Sequence, residues 1–165
     1  MRILSIDSGF DRTGYAVFDK LSKPVYITSG LIKTSPKKKL PVRLMEIFDA
    51  LNNVIIEFKP EQMVIEQLFF FKNQKTVIPV AQAQGVSLLV AAQHNIPLEF
   101  LTPPQIKQMV TGYGNADKKS VLKMLILTLS STPGVKRVDL TGKIDDEIDA
   151  IACGLAFCHL QKNLM

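Results

Sequence analysis

The start of the chain constrains the fold most, because an apolar run there ends on an acid and the chain then turns back. The run from Arg2 to Ile6 predicts a buried strand, and Asp7 follows at its end. Gly14 closes a polar tip, and Tyr15 to Phe18 predicts a second strand, so the segment indicates a hairpin. A carboxylate at the edge of a core is costly unless it is paired or binds a metal ion. The alternative is an Asx-turn, in which Asp7 caps its own backbone.

Length and composition indicate an ordinary folded protein. A chain of 165 residues is long enough for a sizeable core, and we expect a single domain over residues 1–165. No apolar run approaches the roughly 18 to 20 residues of a membrane span. Asp7 interrupts the first apolar run too early for a signal peptide, so we expect a cytoplasmic protein. The net charge of +5 is compatible with a polyanionic partner.

The first half of the chain continues with a strand, a helix and another strand. Val25 to Thr34 predicts a third strand, and Leu44 to Phe58 carries an apolar stripe at helical spacing that Pro60 ends. Met63 to Gln67 predicts a buried parallel strand, with a second acid, Glu66, where its apolar run stops.

The second half is mostly helical. The predicted elements are a helix over residues 76–94, a strand over 98–101, a helix from 103 to about 112, a helix opened by Asn115 or Asp117, a linker over 130–143 and a helix over 145–160. The order of elements predicts an α/β fold. Its five-stranded mixed sheet, with the first three strands antiparallel and the rest parallel, is flanked by helices. Cys153 and Cys158 fall in the last helix and are expected to be reduced packing residues.

The last predicted helix opens with a run of acids. Asp145, Asp146 and Glu147 suit a helix N-terminus, where carboxylates satisfy free N–H groups and the helix dipole. Asp149 lies one turn further in and borders the apolar stripe, so the helix terminus explains it poorly. Whether Asp145 or Asp146 joins Asp149 in a site stays open at this point.

Four acids therefore form a candidate catalytic and metal-binding set, namely Asp7, Glu66, Asp146 and Asp149. Clustered carboxylates repel one another, and proteins keep them together mainly to bind hard cations. Two Mg²⁺ ions about 3.5 to 4 Å apart are a standard device for cleaving a phosphodiester. The sequence has no His/Cys cluster for zinc and no GxxxxGK[ST] loop for a nucleotide.

Five segments in order are similar to motifs of the RuvC family of Holliday junction resolvases, the crossover junction endodeoxyribonucleases. They are IDSGFDRTGYAV, VIEQLFF, AQAQGV, PPQIKQMVTGYGNADKKSV and DDEIDAIACGLAFCH. The resemblance implies an RNase H-like fold, a homodimer, and Mg²⁺-dependent nicking of two opposed strands at a four-way DNA junction in recombination and repair. It also implies that Mn²⁺ can replace Mg²⁺, and it leaves open a branch-migration helicase partner of the RuvA–RuvB type and a bacterial or phage origin.

The resemblance also assigns roles to individual residues. The four acids match the family's acidic positions, Phe69 matches the aromatic that stacks near the junction crossover, and Lys107 and Lys118 match basic residues that serve the scissile region. The full set of expected DNA-binding residues is Phe69, Lys72, Lys75, Lys107, Lys118 and Lys119. A solvated surface is the alternative for any single lysine.

Some features leave the functional interpretation open. Ser8 stands where family members usually have Pro, and Gln84 stands where Arg is common. The helix over residues 76–94 is apolar around much of its circumference, which favours a dimer seam. The alternative functions are a junction-binding protein with weak or no cleavage and a related RNase H-like nuclease acting on other branched DNA or on RNA.

Overall fold

The computed structural model describes residues 1–68, 74–130, 140 and 142–160, with only the backbone for residues 74–76. The strands are β1 (Arg2–Asp7), β2 (Arg12–Lys20), β3 (Pro24–Lys33), β4 (Gln62–Glu66) and β5 (Leu98–Leu101). The helices are α1 (Leu40–Phe58), α2 (Gln74–Gln93), α3 (Pro103–Thr111), α4 (Lys118–Ser130) and α5 (Asp145–Leu160).

The sheet has the spatial order β3-β2-β1-β4-β5. Neighbouring strands are antiparallel between β1 and β2 and between β2 and β3. They are parallel between β1 and β4 and between β4 and β5. The predicted five-stranded mixed sheet is therefore confirmed. Strand β2 is longer than the sequence predicted, because pairing on both of its edges carries its polar ends into the sheet.

Alternation along the strands divides the core into two layers. Ile3 and Val64 pack into the layer formed by α3, α4 and α5. Leu4 and Ile6 pack into the layer formed by α1 and α2. Because side chains alternate along a strand, the residue that follows Ile6 points to the α5 side. The acid at the end of β1 therefore faces the helix that carries the other acids.

Local capping explains where the helices of the α5 layer begin. Thr102 and Gln105 form a reciprocal capping box at the start of α3. The Asp117 carboxylate accepts a hydrogen bond from the Ser120 backbone N–H at 2.8 Å, so Asp117 rather than Asn115 opens α4. Gly112, at φ 80°, ends α3 in the left-handed conformation that glycine tolerates.

Helix α2 has one buried and one exposed side. Ala83, Ser87 and Val90 are buried against the α1 layer. Ile78 and Leu89 on the other side are 65% and 60% exposed. The described part of the chain thus covers only one face of this apolar helix. None of the described helices combines the length and the apolar character needed to cross a membrane.

Helix α5 lies in direct contact with the central strands. Ser5 Oγ lies 2.7 Å from the Ala150 carbonyl oxygen and within bonding distance of the Ala16 carbonyl at 3.1 Å. Gly154 faces this region, and the side chains of Cys153 and Cys158 are buried in the core. A Cβ at Gly154 would lie 2.6 Å from a Phe18 ring carbon and 2.6 Å from Ser5 Oγ. The absence of a side chain at Gly154 therefore sets the helix-to-sheet distance.

We expect Gly154→Ala to destabilise the protein by about 1–3 kcal/mol, because overpacking at this contact outweighs the gain in helix propensity. The free energy of unfolding in urea measures the effect. Adding Phe18→Leu removes one of the two clashing groups, so the double variant should lose less stability than the two single changes summed. Simple additivity would show that the close contact is not the cause.

Candidate active site

The ends of β1 and β4 bring two acids together. Ile6 pairs with Ile65 in the parallel register of these strands, so Asp7 and Glu66 are neighbours one residue further along. Both acids stand at the carboxyl end of their strand, where polar side chains of a parallel pair meet at one sheet edge. This is the placement that the sequence predicted for the two strand-terminal acids.

The start of α5 is held against the same edge. Gly14 pairs with Asp7 in the β1–β2 register. A Cβ at Gly14 would lie 1.9 Å from the Asp146 carbonyl oxygen, so the hairpin backbone and the first turn of α5 are in direct contact. Only glycine fits at this position, and the contact delivers Asp146 and Asp149 to the strand ends.

Burial and mutual repulsion act together on the acids. The pKa of Asp7 is raised to about 8, chiefly because the side chain is buried and next because of the charge of Glu66. Asp149 and Asp146 also raise the pKa of Asp7. Burial raises the pKa of Glu66 to about 7, with Asp149 as the next cause. The charges of the other three acids therefore act on Asp7, and the charge of Asp149 also acts on Glu66, so the candidate set forms one cluster.

Two cations bracket the acids. Lys118 Nζ lies 3.2 Å from Asp145 Oδ2 and 3.5 Å from Asp149 Oδ2. On the other side, Arg12 Nε lies 2.9 Å from Asp146 Oδ2. Sequence reasoning missed Arg12, because its partner is far away along the chain and no local motif links them.

Asp145 and Asp146 face different clefts. Asp145 lines a cleft of about 350 Å³ together with Glu66 and Asp149. Its side chain is 72% exposed and pairs with Lys118. Asp146 is 21% exposed, lies in a second cleft beside Arg12, and is one of the acids that raise the pKa of Asp7.

The donor set suits a hard divalent cation, which prefers carboxylate oxygens. Asp146 Oδ2 is buried and accepts no hydrogen bond from the described part of the chain, so it has unused capacity for a ligand. Within the described ranges, no group of three His, Cys, Asp or Glu side chains is already arranged to hold a metal ion. The carboxylates are thus neighbours that would have to turn toward a shared ion.

The predicted DNA-binding residues have different outcomes. Lys107, Lys118 and Lys119 line the 350 Å³ cleft beside Glu66 and Asp149. The charges of Lys118 and Lys107 partly offset the rise in the Glu66 pKa. Phe69 and Lys72 lie outside the described residues, and so does the side chain of Lys75.

The structure gives Glu147 a contact that the sequence did not reveal. The sequence interpretation treated Glu147 as an acid at a helix N-terminus, but its side chain is largely buried. Glu147 Oε1 accepts hydrogen bonds from Ser29 Oγ and Lys143 Nζ, both at 2.5 Å. The bond from Ser29 ties the start of α5 to β3, and the two bonds together explain why the acid faces away from the cleft.

Arg43 fixes the tip of the β1–β2 hairpin and was also missed. Its guanidinium lies 3.6 Å from the centre of the Phe10 ring and is buried. Arg43 Nε donates to Thr34 Oγ1 at 2.8 Å, and a further N–H donates to the Phe10 carbonyl at 3.3 Å. A cationic residue directly before the apolar stripe of α1 was the available signal, but the sequence does not identify its partners.

The two departures from the family pattern lie close to the acids. The Gln84 side-chain amide donates a hydrogen bond to the Glu66 carbonyl oxygen at 3.2 Å, which connects α2 to the end of β4. Ser8 directly follows Asp7 and is buried, and its hydroxyl has no hydrogen-bond partner among the described residues. Gln84 therefore supports the strand end, while the Ser8 hydroxyl adds no bond to it.

The raised pKa values predict a pH-dependent stability in EDTA. Between about pH 4 and 8 the folded protein keeps protons on Asp7 and Glu66 that the unfolded chain releases, so stability should fall as pH rises through this window. Asp7→Asn, which is neutral at every pH, should flatten the profile and raise the melting temperature at pH 8. Asp49→Asn on the exposed side of α1 is the control. A stability that increases toward pH 8 would contradict the prediction.

Known proteins are similar to this chain in sequence and in fold. The family "Crossover junction endodeoxyribonuclease RuvC" matches residues 3–159. The RuvC of Petrotoga mobilis is 43% identical over 160 residues, which cover 96% of this chain and 93% of that protein. The RuvC of Syntrophomonas wolfei is 40% identical over 163 residues, covering 97% of this chain and 88% of that protein.

Solved structures of Holliday junction resolvases are also similar to this chain. The structure of T. thermophilus RuvC in complex with a Holliday junction substrate aligns with a TM-score of 0.86 at 25% identity, covering 99% of this chain and 96% of that one. The yeast mitochondrial Holliday junction resolvase aligns with a TM-score of 0.69 at 17% identity, covering 98% and 79%, which supports the RNase H-like fold alone. This chain therefore belongs to the RuvC family of crossover junction endodeoxyribonucleases.

Proposed function

We propose that this protein resolves four-way DNA junctions by nicking two opposed strands, and that it acts in DNA recombination and repair. The observation that carries the proposal is the convergence of acids from β1, β4 and α5 beside a cleft lined by lysines. Family membership supports the same activity. We also infer a single domain over residues 1–165, since one sheet contacts both helical layers.

Nucleases of this family are metal-dependent. The residues proposed to hold two Mg²⁺ ions, or Mn²⁺ in their place, are Asp7, Glu66, Asp146 and Asp149. Bound ions would activate the attacking water and stabilise the leaving oxygen. We favour Asp146 over Asp145 as the ligand for two reasons. Its side chain is less exposed, and its charge is among those that raise the pKa of Asp7.

The lysines of the cleft are proposed to bind DNA phosphates. Lys107 lies on α3, and Lys118 and Lys119 begin α4, so three cations border one cleft. Phosphate contacts of this kind would make junction affinity strongly salt-dependent. Lys72 and Lys75 are proposed to extend the basic surface. Phe69 is proposed to stack on a base, as aromatic side chains do in nucleic-acid sites.

A homodimer is proposed to present two such sites to a two-fold symmetric junction. The support is the outer face of α2, where apolar side chains recur at helical spacing and remain exposed. Its large members are Ile78, Leu88 and Leu89. Burying this stripe against a second copy would remove it from water. We further propose a cytoplasmic location, with a branch-migration helicase as a partner that the chain's own features do not identify.

The catalytic proposal predicts that Asp7→Asn abolishes junction cleavage while binding persists or tightens, because the variant removes negative charge beside the phosphate. Cleavage is measured on an end-labelled synthetic four-way junction in Mg²⁺, where the wild type should give symmetric paired nicks. Binding is measured by gel shift in EDTA, with Asp49→Asn as a control that should cut normally. Equal cleavage in EDTA would refute the metal role, and tight binding without any product would favour the junction-binding alternative.

The dimer proposal predicts that Leu89→Glu yields a monomer, since it places a charge in the apolar stripe of α2. Light scattering after size exclusion should give half the wild-type mass. Leu127→Glu is the matched control, because Leu127 is 54% exposed on α4 in the other layer. The stripe would not be the interface if both variants kept the wild-type mass, or if the wild type were already monomeric at assay concentrations.

A further inference from the structure

We propose that Arg12 is a tethered counter-ion of Asp146 that competes with a divalent cation and so sets the metal affinity of the site. This inference rests on the proposed function. Arg12 is the first residue of β2, and its Nε lies 2.9 Å from Asp146 Oδ2. It thus places a fixed positive charge beside one of the proposed metal ligands.

The contact neutralises charge without satisfying the oxygen. Asp146 Oδ2 is buried and accepts no hydrogen bond from any residue that the structure describes, so the Arg12 N–H is not aimed at it despite the short distance. An aligned pair would hold the carboxylate more strongly, as bidentate arginine pairs do. The Arg12 side chain is also half exposed, so it can swing into solvent when another cation arrives.

The backbone of Arg12 cannot follow such a movement, because the hairpin tip around it is fixed. A Cβ at Gly9 would lie 2.0 Å from the Arg12 carbonyl oxygen, and Thr13 Oγ1 donates to the Gly9 carbonyl at 2.7 Å. Arg43 and Thr34 both donate to the Phe10 carbonyl, at 3.3 Å and 2.8 Å. The guanidinium therefore stays near Asp146 at a high effective concentration.

Competition follows from the chemistry of the shared carboxylate. A divalent cation and a guanidinium both require negative oxygen atoms, and two positive groups this close repel each other. Lys118 has a comparable position beside Asp145 and Asp149, but it is already expected to contact DNA. Arg12 is not among the residues expected to contact DNA, and its contact with Asp146 gives it the role of a counter-ion.

The test compares Arg12→Gln with wild-type protein in metal titrations without DNA. Binding of Mn²⁺ is followed by electron paramagnetic resonance, and binding of Mg²⁺ by calorimetry. Arg12→Gln should bind the ions about tenfold more tightly, because the competing charge is gone. Arg12→Lys, which keeps the charge, should stay near the wild-type affinity.

Arg2→Gln is the matched control. Arg2 Nε pairs with Asp19 Oδ1 at 2.8 Å at the opposite end of the same hairpin, and Arg2 is 36% exposed. This variant removes the same net charge from an ion pair away from the site, so it should leave metal affinity unchanged. Circular dichroism in EDTA checks that every variant is folded.

A second variant separates the inference from the function on which it rests. In an Asp146→Asn background, the Arg12→Gln change should no longer tighten metal binding, because the shared ligand is missing. Unchanged or weaker affinity in Arg12→Gln alone would overturn the counter-ion role and leave the proposed nuclease intact. If the wild type bound neither ion, the proposed metal site itself would fail.

Discussion

The close approach of α5 to the β1–β2 hairpin is the contact on which the site depends. Gly14 leaves room for the Asp146 carbonyl, and Gly154 leaves room for Phe18 and Ser5. These two contacts lie at the first and third turns of α5, so they fix both its distance and its rotation. Acids that are far apart in sequence then meet at one sheet edge. A helix that stood off by even one methyl group would carry its carboxylates away from those of the strands.

Convergence of the acids has an electrostatic cost that the protein offsets in two ways. Burial and repulsion raise the pKa values of Asp7 and Glu66 to near neutrality, so protons replace part of the negative charge. Arg12 and Lys118 neutralise Asp146 and Asp149 from opposite sides. Protons and side-chain cations are both exchangeable, and a divalent ion would replace either. The same arrangement therefore lowers the repulsion between the carboxylates when no metal is bound and leaves them accessible to a metal ion.

The sequence was most informative where a local pattern determines the structure. The bounds of β5 and α5 agree with the prediction, because an apolar run and a clear helix start mark them. The acids of β1 and β4 could be placed because period-two alternation and strand ends fix their face and edge. Arg12, Arg43 and Glu147 could not be assigned in this way. Each contacts a residue from a distant segment, and each has a local interpretation as an ordinary surface charge or helix-terminal residue.

The two layers of the fold carry different surfaces, and a few contacts connect them. The α5 layer forms the cleft, while the α1 layer presents the apolar stripe of α2. Gln84 connects α2 to the backbone of Glu66, and Arg43 connects α1 to Phe10 in the hairpin tip. The first contact ends on Glu66 itself. The second ends two residues before Arg12, the counter-ion of Asp146. These two hydrogen-bonded side chains therefore connect the α1 layer to the edge of the sheet where the acids lie.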